Sequence, residues 1–403
     1  MSASPVSGAT SVDPAGLPER TRSSTPFDAR HHDVSRLLAI DYTPGPGHAP
    51  GLGRYVRELV RALVRLEDTP RLRLVEVGRA PAPMEGAPLG LEGPGVVAAF
   101  ERTRLRMPRR ALSIAASLGD LAGRRALHGA ALLHRTTLEL HGPREGEGHL
   151  RIPHTIAVAE FPLPGSRADE ALASRCRAAR GVVVFSADAA ARVASRYGVD
   201  ASQVPVGCDH WVRELPEDAA TPRASRDVLV LGAVRASRRP MDVLRAFEAL
   251  RASGEVARLL WVGRPGDLAG DFREALAASA FAGDVRWIDS PEERRMARCV
   301  AGASALLHLA DDEATPVTPL EALRAGLPVV ASRLPAFEEA LGSTAHWVDG
   351  TEPGDIAEAL RAALSDRDEI GARIERAAPY SWESSARAHL RLWEPMLPGR
   401  ERR

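Results

Sequence analysis

The sequence predicts an α/β protein of two doubly wound domains facing a central cleft, and three observations predict it. The chain has 403 residues, more than the about 250–300 at which a single core stops growing. Short apolar runs alternate with stretches of helical period in both halves, the pattern of parallel sheets joined by crossover helices. Each half also opens alike, with a buried strand, a loop rich in Gly or Arg, and an amphipathic helix.

The elements follow in order. Residues 1–35 are rich in Ser, Pro, Ala, Arg and Gly and show no apolar period, so they are expected to be a disordered tail. A first Rossmann-like domain over 36–212 begins with Leu37-Leu38-Ala39-Ile40, a buried strand that ends at Asp41. A Gly/Pro loop runs from Thr43 to Gly53. Tyr55, Val56, Leu59, Val60, Leu63 and Val64 then recur at helical spacing, with Arg57, Glu58, Arg61 and Arg65 on the other face. Further strands are expected at 72–77, 131–134 and 181–185, and a helix over Ala187–Tyr197. Residues 213–226 are polar, carry Pro216 and Pro222, and read as a linker. A second Rossmann-like domain over 227–380 begins with the strand Asp227–Gly232. An arginine-rich loop follows, then a helix through Val243, Leu244, Phe247 and Leu250. Strands at 259–263, 285–288, 305–309 and 329–331 complete its pattern, and helical spacing returns over 381–398.

Composition excludes several classes of function. Formal net charge is zero, so no global field draws the chain to nucleic acid. The sequence holds no Lys and no Asn, so all 53 basic residues are Arg. A GC-rich genome accounts for both absences, and an arginine cluster is therefore a weak functional signal. Arg102, Arg104, Arg106, Arg109 and Arg110, ahead of the apolar Ala111–Leu118, fit either a solvated helix or a peripheral membrane-surface element. Cys176, Cys208 and Cys299 are too scattered for a disulfide framework or a zinc site, and suit a reducing compartment. The N-terminus lacks a signal-type apolar region, and no run reaches the ~18 apolar residues of a membrane span. A cytoplasmic location, peripheral to the inner membrane face at most, is the expectation. No metal-ligand cluster stands out, and no metal or cofactor is expected.

The chemistry concentrates between Ala305 and Ala331. A strand at 305–309 runs into an acidic loop holding Glu313. A helix is expected to start at Thr318, with Thr318 as N-cap, Pro319 at the first helical position and Glu321 at the third. Gly326 and Pro328 end it. Ligands of open α/β sheets lie beyond the carboxyl ends of the strands, where helix N-termini point, so Glu313 and Glu321 are candidates to line the crevice. Thr318 and Glu321 also satisfy the pattern of a capping box, which needs no ligand. Gly51 and Gly53 allow close backbone approach to a ligand, or simply a tight turn.

These segments resemble the retaining glycosyltransferases of family 4, of GT-B fold. Glu313 and Glu321 enclose seven residues, and TPLEALRAGLPVVAS follows the family pattern. GLGRYVRELVRAL, VPVGCD, LGAVRASRRPMDVLRAF and SWESSARAHLRLW resemble the first glycine loop, the end of the first domain, the phosphate-binding entry and the final crossing helix. The resemblance covers 37–397. It implies that Glu321 holds the ribose of a nucleotide sugar and that Glu313 contacts the donor sugar. It places Arg238 at the family's phosphate-binding Lys, with Arg235 beside it, and the amides after Thr318 at the diphosphate. Arginine clamps a diphosphate bidentately, so the exchange is chemically sound. A nucleoside diphosphate sugar is then the co-substrate, and a sugar, lipid-linked or small-molecule hydroxyl compound the acceptor.

Two departures stand out. Ala314-Thr315-Pro316-Val317 replaces the usual Gly-Phe-Gly-Leu, and Pro316 removes a backbone donor. Ala157-Val158 replaces a His-Asp pair. His154 lies three residues from that place, on the opposite face of a strand, either a structural residue or a second catalytic candidate beside Glu313. Hydroxyl glycosylation with retention, in polysaccharide, glycolipid or glycoconjugate synthesis, is one expectation. A GT-B protein that has lost turnover and acts as a binding partner is the other.

Overall fold

The computed structural model describes residues 36–45, 51–77, 100–105, 126–136, 152–211, 225–289, 293–366 and 368–399. The tail over 1–35, the linker over 213–224, and Arg106, Arg109, Arg110 and Ala111–Leu118 lie outside the described residues.

The first sheet is built from β1 (Leu37–Asp41), β2 (Leu72–Val77), β3 (Phe100–Leu105), β4 (Ala130–Arg135), β5 (His154–Ala157), β6 (Gly181–Val184) and β7 (Ala201–Gln203). All its pairings are parallel, in the order β3-β2-β1-β4-β5-β6-β7. Helices α1 (Leu52–Leu63), α2 (Arg167–Ala178) and α3 (Ala187–Tyr197) accompany it. Leu38 and Ile40 point to the core face shared with Val56, Leu59 and Val60 of α1, and Ala39 to the opposite face. That two-faced burial is why the strand reads as a continuous apolar run.

The second sheet holds β8 (Asp227–Leu231), β9 (Arg258–Val262), β10 (Val285–Ile288), β11 (Ala305–His308), β12 (Val329–Ser332) and β13 (Ala345–Val348), in the order β10-β9-β8-β11-β12-β13 and parallel throughout. Its helices are α4 (Pro240–Ala252), α5 (Ala269–Ala278), α6 (Glu293–Gly302), α7 (Val317–Arg324), α8 (Pro335–Leu341), α9 (Pro353–Ser365) and α10 (Ile370–Ala377). Both sheets therefore share the doubly wound strand order, and each reverses direction beside its first strand.

The last helix, α11 (Trp382–Trp393), leaves the second domain and lies against α1. The segment Val204–Asp209 holds its start. Asp209 Oδ1 accepts the Trp382 N–H at 2.8 Å, and the Cys208 N–H donates to Tyr380 O at 2.8 Å. At Gly207 an added Cβ would stand 2.3 Å from the Trp382 ring, so this close approach admits only glycine. Further along α11, a buried relay ties the helix to the first sheet. Tyr55 Oη lies 2.8 Å from both His134 Nε2 and His389 Nε2, His134 Nδ1 lies 2.8 Å from Thr155 Oγ1, and Trp393 Nε1 donates to Thr155 Oγ1 at 3.2 Å.

One expectation is corrected here. Arg102 and Arg104 belong to no helix. They lie on the edge strand β3 and both pair with Glu76 of β2. Alternating charges on an edge strand hide it from a search for apolar runs and also block edge-to-edge pairing.

Candidate active site

The second sheet switches direction between β8 and β11, where a doubly wound sheet binds its ligand. Gly232 follows β8, His308 ends β11, Glu313 lies in the next loop, and α7 starts beyond it.

Arg238 ends the short turn Ala236–Arg238 and reaches over to β11. Its Nη1 lies 2.5 Å from His308 Nε2 and pairs with Glu313 Oε2. His308 Nε2 is also 3.0 Å from that carboxylate oxygen. A guanidinium only donates, so when His308 is neutral with its proton on Nδ1, Nε2 accepts from Arg238 and makes no hydrogen bond to Glu313. Burial and the Arg238 charge both push the His308 pKa down and favour that form. Burial raises the Glu313 carboxyl, but the Arg238 guanidinium beside it outweighs this and brings the group down to about 2. Glu313 is thus an anion at any working pH, fit to accept hydrogen bonds from sugar hydroxyls and unfit to give a proton. Arg235 is exposed on the same loop, and its charge also acts on His308.

Glu321 lies in the second turn of α7 with its side chain 1% exposed. Its Oε1 accepts from Arg54 Nη1 of α1 at 2.9 Å and lies 3.3 Å from His210 Nε2. The Arg54 guanidinium also sits over the Trp211 ring, 4.8 Å from its centroid. The first domain therefore holds the carboxylate of the second. Gly51 is the N-cap of α1 with φ 67°, a left-handed conformation that favours glycine, and Gly53 is buried in its first turn. Both lie just ahead of Arg54 in the chain.

The capping-box alternative is not realised. Helix α7 starts at Val317 with Pro316 as N-cap and no side-chain cap. Thr318 is its second residue and half-buried. Pro319 falls at the third position, where a missing N–H costs nothing because first-turn donors have no intrahelical partner. The altered segment before α7 docks on the first domain. Ala314 O accepts from Ser186 Oγ at 2.7 Å, Thr315 Oγ1 donates to Ala159 O at 2.8 Å, and Arg192 pairs with Asp312 at 2.6 Å.

His154 does not join this group. It is the first residue of β5, level with Leu133 of β4 and three residues short of the strand's carboxyl end. At that end stand the buried Ala157 and Val158. The structure thus brings Glu313, Arg238 and Arg235 together at one switch point, sets Glu321, Thr318, Gly51 and Gly53 along α7 and α1, and leaves His154 elsewhere. Sequence reasoning missed His308, Arg54 and His210. The position of His308 as the last residue of a switch-point strand was the signal that could have found it.

The profile of the family described as "Glycosyl transferases group 1" matches residues 212–379. Those residues form a glycosyl transferases group 1 domain. The chain is 29% identical over 214 residues to the phosphatidyl-myo-inositol mannosyltransferase of Mycobacterium leprae, covering 49% of this chain and 54% of that protein. It is 28% identical over 240 residues to the D-inositol 3-phosphate glycosyltransferase of Nocardia farcinica, covering 53% of each. A glycogen synthase of Bordetella bronchiseptica is 32% identical over 201 residues, 45% of this chain and 39% of that one. The chain thus spans about half the length, or less, of the curated relatives it matches. Among solved structures, the sucrose-phosphate synthase of Thermosynechococcus elongatus superposes with a TM-score of 0.66 at 16% identity, over 90% of this chain and 99% of that one. The Anabaena protein HepE, solved with UDP and glucose, gives 0.63 at 14% identity, over 90% and 99%. The group 1 domain sits in a GT-B fold. Among the described residues no group of three His, Cys, Asp or Glu could hold a metal, and no helix is long and apolar enough to cross a membrane.

Proposed function

We propose that the protein transfers a sugar from a nucleoside diphosphate sugar to a hydroxyl acceptor with retention and without a metal, in the synthesis of a glycolipid, polysaccharide or other glycoconjugate. The observation that carries this reading is the Glu313–Arg238–His308 group at the switch point of the second sheet. Charge develops on the departing diphosphate as the bond to the sugar breaks. Arg238, Arg235 and the Thr318 amide in the first turn of α7 are the groups suited to stabilise it. Ionised Glu313 is suited to fix sugar hydroxyls, and Glu321 to hold the ribose diol once Arg54 yields it. The names of the relatives, which include transferases acting on inositol lipids and inositol phosphate, support a hydroxyl acceptor that bears phosphate.

The second reading, a partner protein without turnover, draws on apolar Ala157 and Val158 at the carboxyl end of β5. The experiment is a calorimetric screen of nucleoside diphosphate sugars, followed by assays of hydrolysis and transfer. Turnover lost in Glu313→Ala supports the transferase. Tight nucleotide binding without turnover, across a broad donor panel with acceptors present, overturns it in favour of the partner protein.

A further inference from the structure

The first sheet has its own switch point, between β1 and β4. Their last residues are Asp41 and Arg135. Arg135 is 3% exposed, yet its Nε and Nη2 are buried with no hydrogen-bond partner. Nη1 of Arg175, on α2, and Nε2 of His154 are buried and unpartnered as well. The β4–β5 register sets Leu133 opposite His154 and Arg135 opposite Ile156, which puts Arg135 and His154 on one face of the sheet. Ile156 packs in one cluster with Leu172, Ala173 and Cys176 of α2, so α2 covers that same face. Arg135 links the other two. The Arg135 charge helps lower the His154 pKa, and the Arg175 charge helps lower that of Arg135. Asp41 is the carboxylate whose charge acts on Arg135, and its Oδ1 accepts the Thr43 N–H at 3.1 Å.

Buried cations are paired in folded proteins, because an unpaired charge in low dielectric is strongly unfavourable. Two nitrogens of Arg135, one of Arg175 and one of His154, buried without acceptors under the same face of the sheet, describe a site whose counter-charge is a ligand. We infer that Arg135, Arg175 and His154 form a binding site for a tetrahedral or planar oxyanion, a phosphate ester in the first instance. It lies beneath the carboxyl end of β4, where the first sheet would receive a ligand. Guanidinium groups suit the task, since each offers several donors in a plane that matches phosphate oxygens. The site stands on the first domain alone. Only its assignment to the acceptor rests on the transferase reading above.

The test measures thermal stabilisation of the full chain by inorganic phosphate and by a hexose 6-phosphate. A saturating nucleoside diphosphate occupies the second domain, and sodium chloride at equal ionic strength serves as the blank. The variants are Arg135→Met and Arg175→Met, which replace a buried cation by an apolar chain of similar length, a change that folds tolerate. The expected result is saturable stabilisation by one or both phosphates, weakened at least tenfold in apparent affinity in each variant. Nucleoside diphosphate affinity should stay within twofold of the parent. Stabilisation by the sugar phosphate alone assigns the site to a larger phosphate-bearing ligand. Stabilisation by both assigns it to the anionic group itself. No effect beyond chloride, or equal phosphate affinity in parent and both variants, overturns the inference. Should one variant fail to fold, the other decides. Loss of nucleoside diphosphate binding in the parent would count against the transferase reading and leave this site standing.

Discussion

The two switch points of this molecule treat buried charge in opposite ways. In the second sheet each carboxylate already has a cation: Glu313 has Arg238, and Glu321 has Arg54. In the first sheet, neighbouring residues of β4 diverge. His134 enters a relay with a partner for each ring nitrogen, while Arg135, on the other face, finds none for Nε and Nη2. Paired charge gives a preformed site whose ions must be exchanged for ligand. Unpaired charge gives a site that ligand completes. The contrast predicts that damage to the second switch point shows as lost binding and turnover. Damage to the cation cluster should leave the free protein intact.

The most severe test of the paired half is Glu321→Ala. It leaves Arg54 buried without its carboxylate, which costs about 3–5 kcal/mol of stability, and it lowers nucleoside diphosphate affinity at least tenfold. Adding Arg54→Met should recover most of the stability and none of the affinity. Denaturant titration and calorimetry separate the two outcomes. Parent-like affinity in the double variant would reduce Glu321 to an interdomain tie.

Arg238→Ala comes next. Loss of one donor to a developing oxyanion lowers turnover by about 10²–10³. Without the guanidinium, the Glu313 carboxyl also rises from about 2, so the acid limb of the pH–rate profile should move upward. A rate within tenfold of the parent would show that other groups carry the leaving-group charge.

The relay in the first domain makes a prediction about pH. Its protons have one consistent order. Trp393 donates to Thr155, Thr155 to His134 Nδ1, His134 Nε2 to Tyr55, Tyr55 to His389 Nε2, and His389 Nδ1 to Ser385 O at 2.8 Å. Both histidines must be neutral for this. Burial lowers His389 to about 4 and pushes His134 down as well. A histidine lowered in the fold stays neutral there while the unfolded chain takes up a proton below its ordinary value near 6.5. The associated stability is therefore complete above about pH 6.5 and falls away towards pH 4, by about 3 kcal/mol for His389. Unfolding free energies at pH 7.5 and pH 5 should differ accordingly, and less so in His389→Gln. A flat profile would remove the relay as the acid-sensitive tie between α11 and the first sheet.

How much was legible beforehand follows from the same physics. Strands buried on both faces, such as Asp227–Leu231 and Val329–Ser332, stand out as apolar runs. The charged edge strand Phe100–Leu105 and the three-residue Ala201–Gln203 do not. Glu313 and Glu321 were visible through their place after a switch-point strand, and Arg238 through the family resemblance of its loop. His308 was hidden inside an apolar strand. Arg54 was hidden among 53 arginines, and its partner is 267 positions away, a separation that local pattern does not encode. The Arg135 cluster was invisible for that same reason, since it joins two strands and a helix.

The smallest predicted effect distinguishes the local reading of α7 from the observed one. As an N-cap, Thr318 would contribute about 1 kcal/mol, lost in Thr318→Ala. The helix begins at Val317 instead, with Pro316 as N-cap, so the Thr318 hydroxyl satisfies no amide of the first turn. Its removal should change stability by no more than about 0.5 kcal/mol. The hydroxyl lies in the first turn of α7, half-buried and facing no capping duty, which leaves it available to a phosphate oxygen. One neutral hydrogen bond is worth about 0.5–1.5 kcal/mol, so nucleoside diphosphate affinity should fall by about two- to tenfold. Thermal denaturation and calorimetry on the one variant decide. A stability loss near 1 kcal/mol with unchanged affinity would restore the capping role and remove Thr318 from the ligand site.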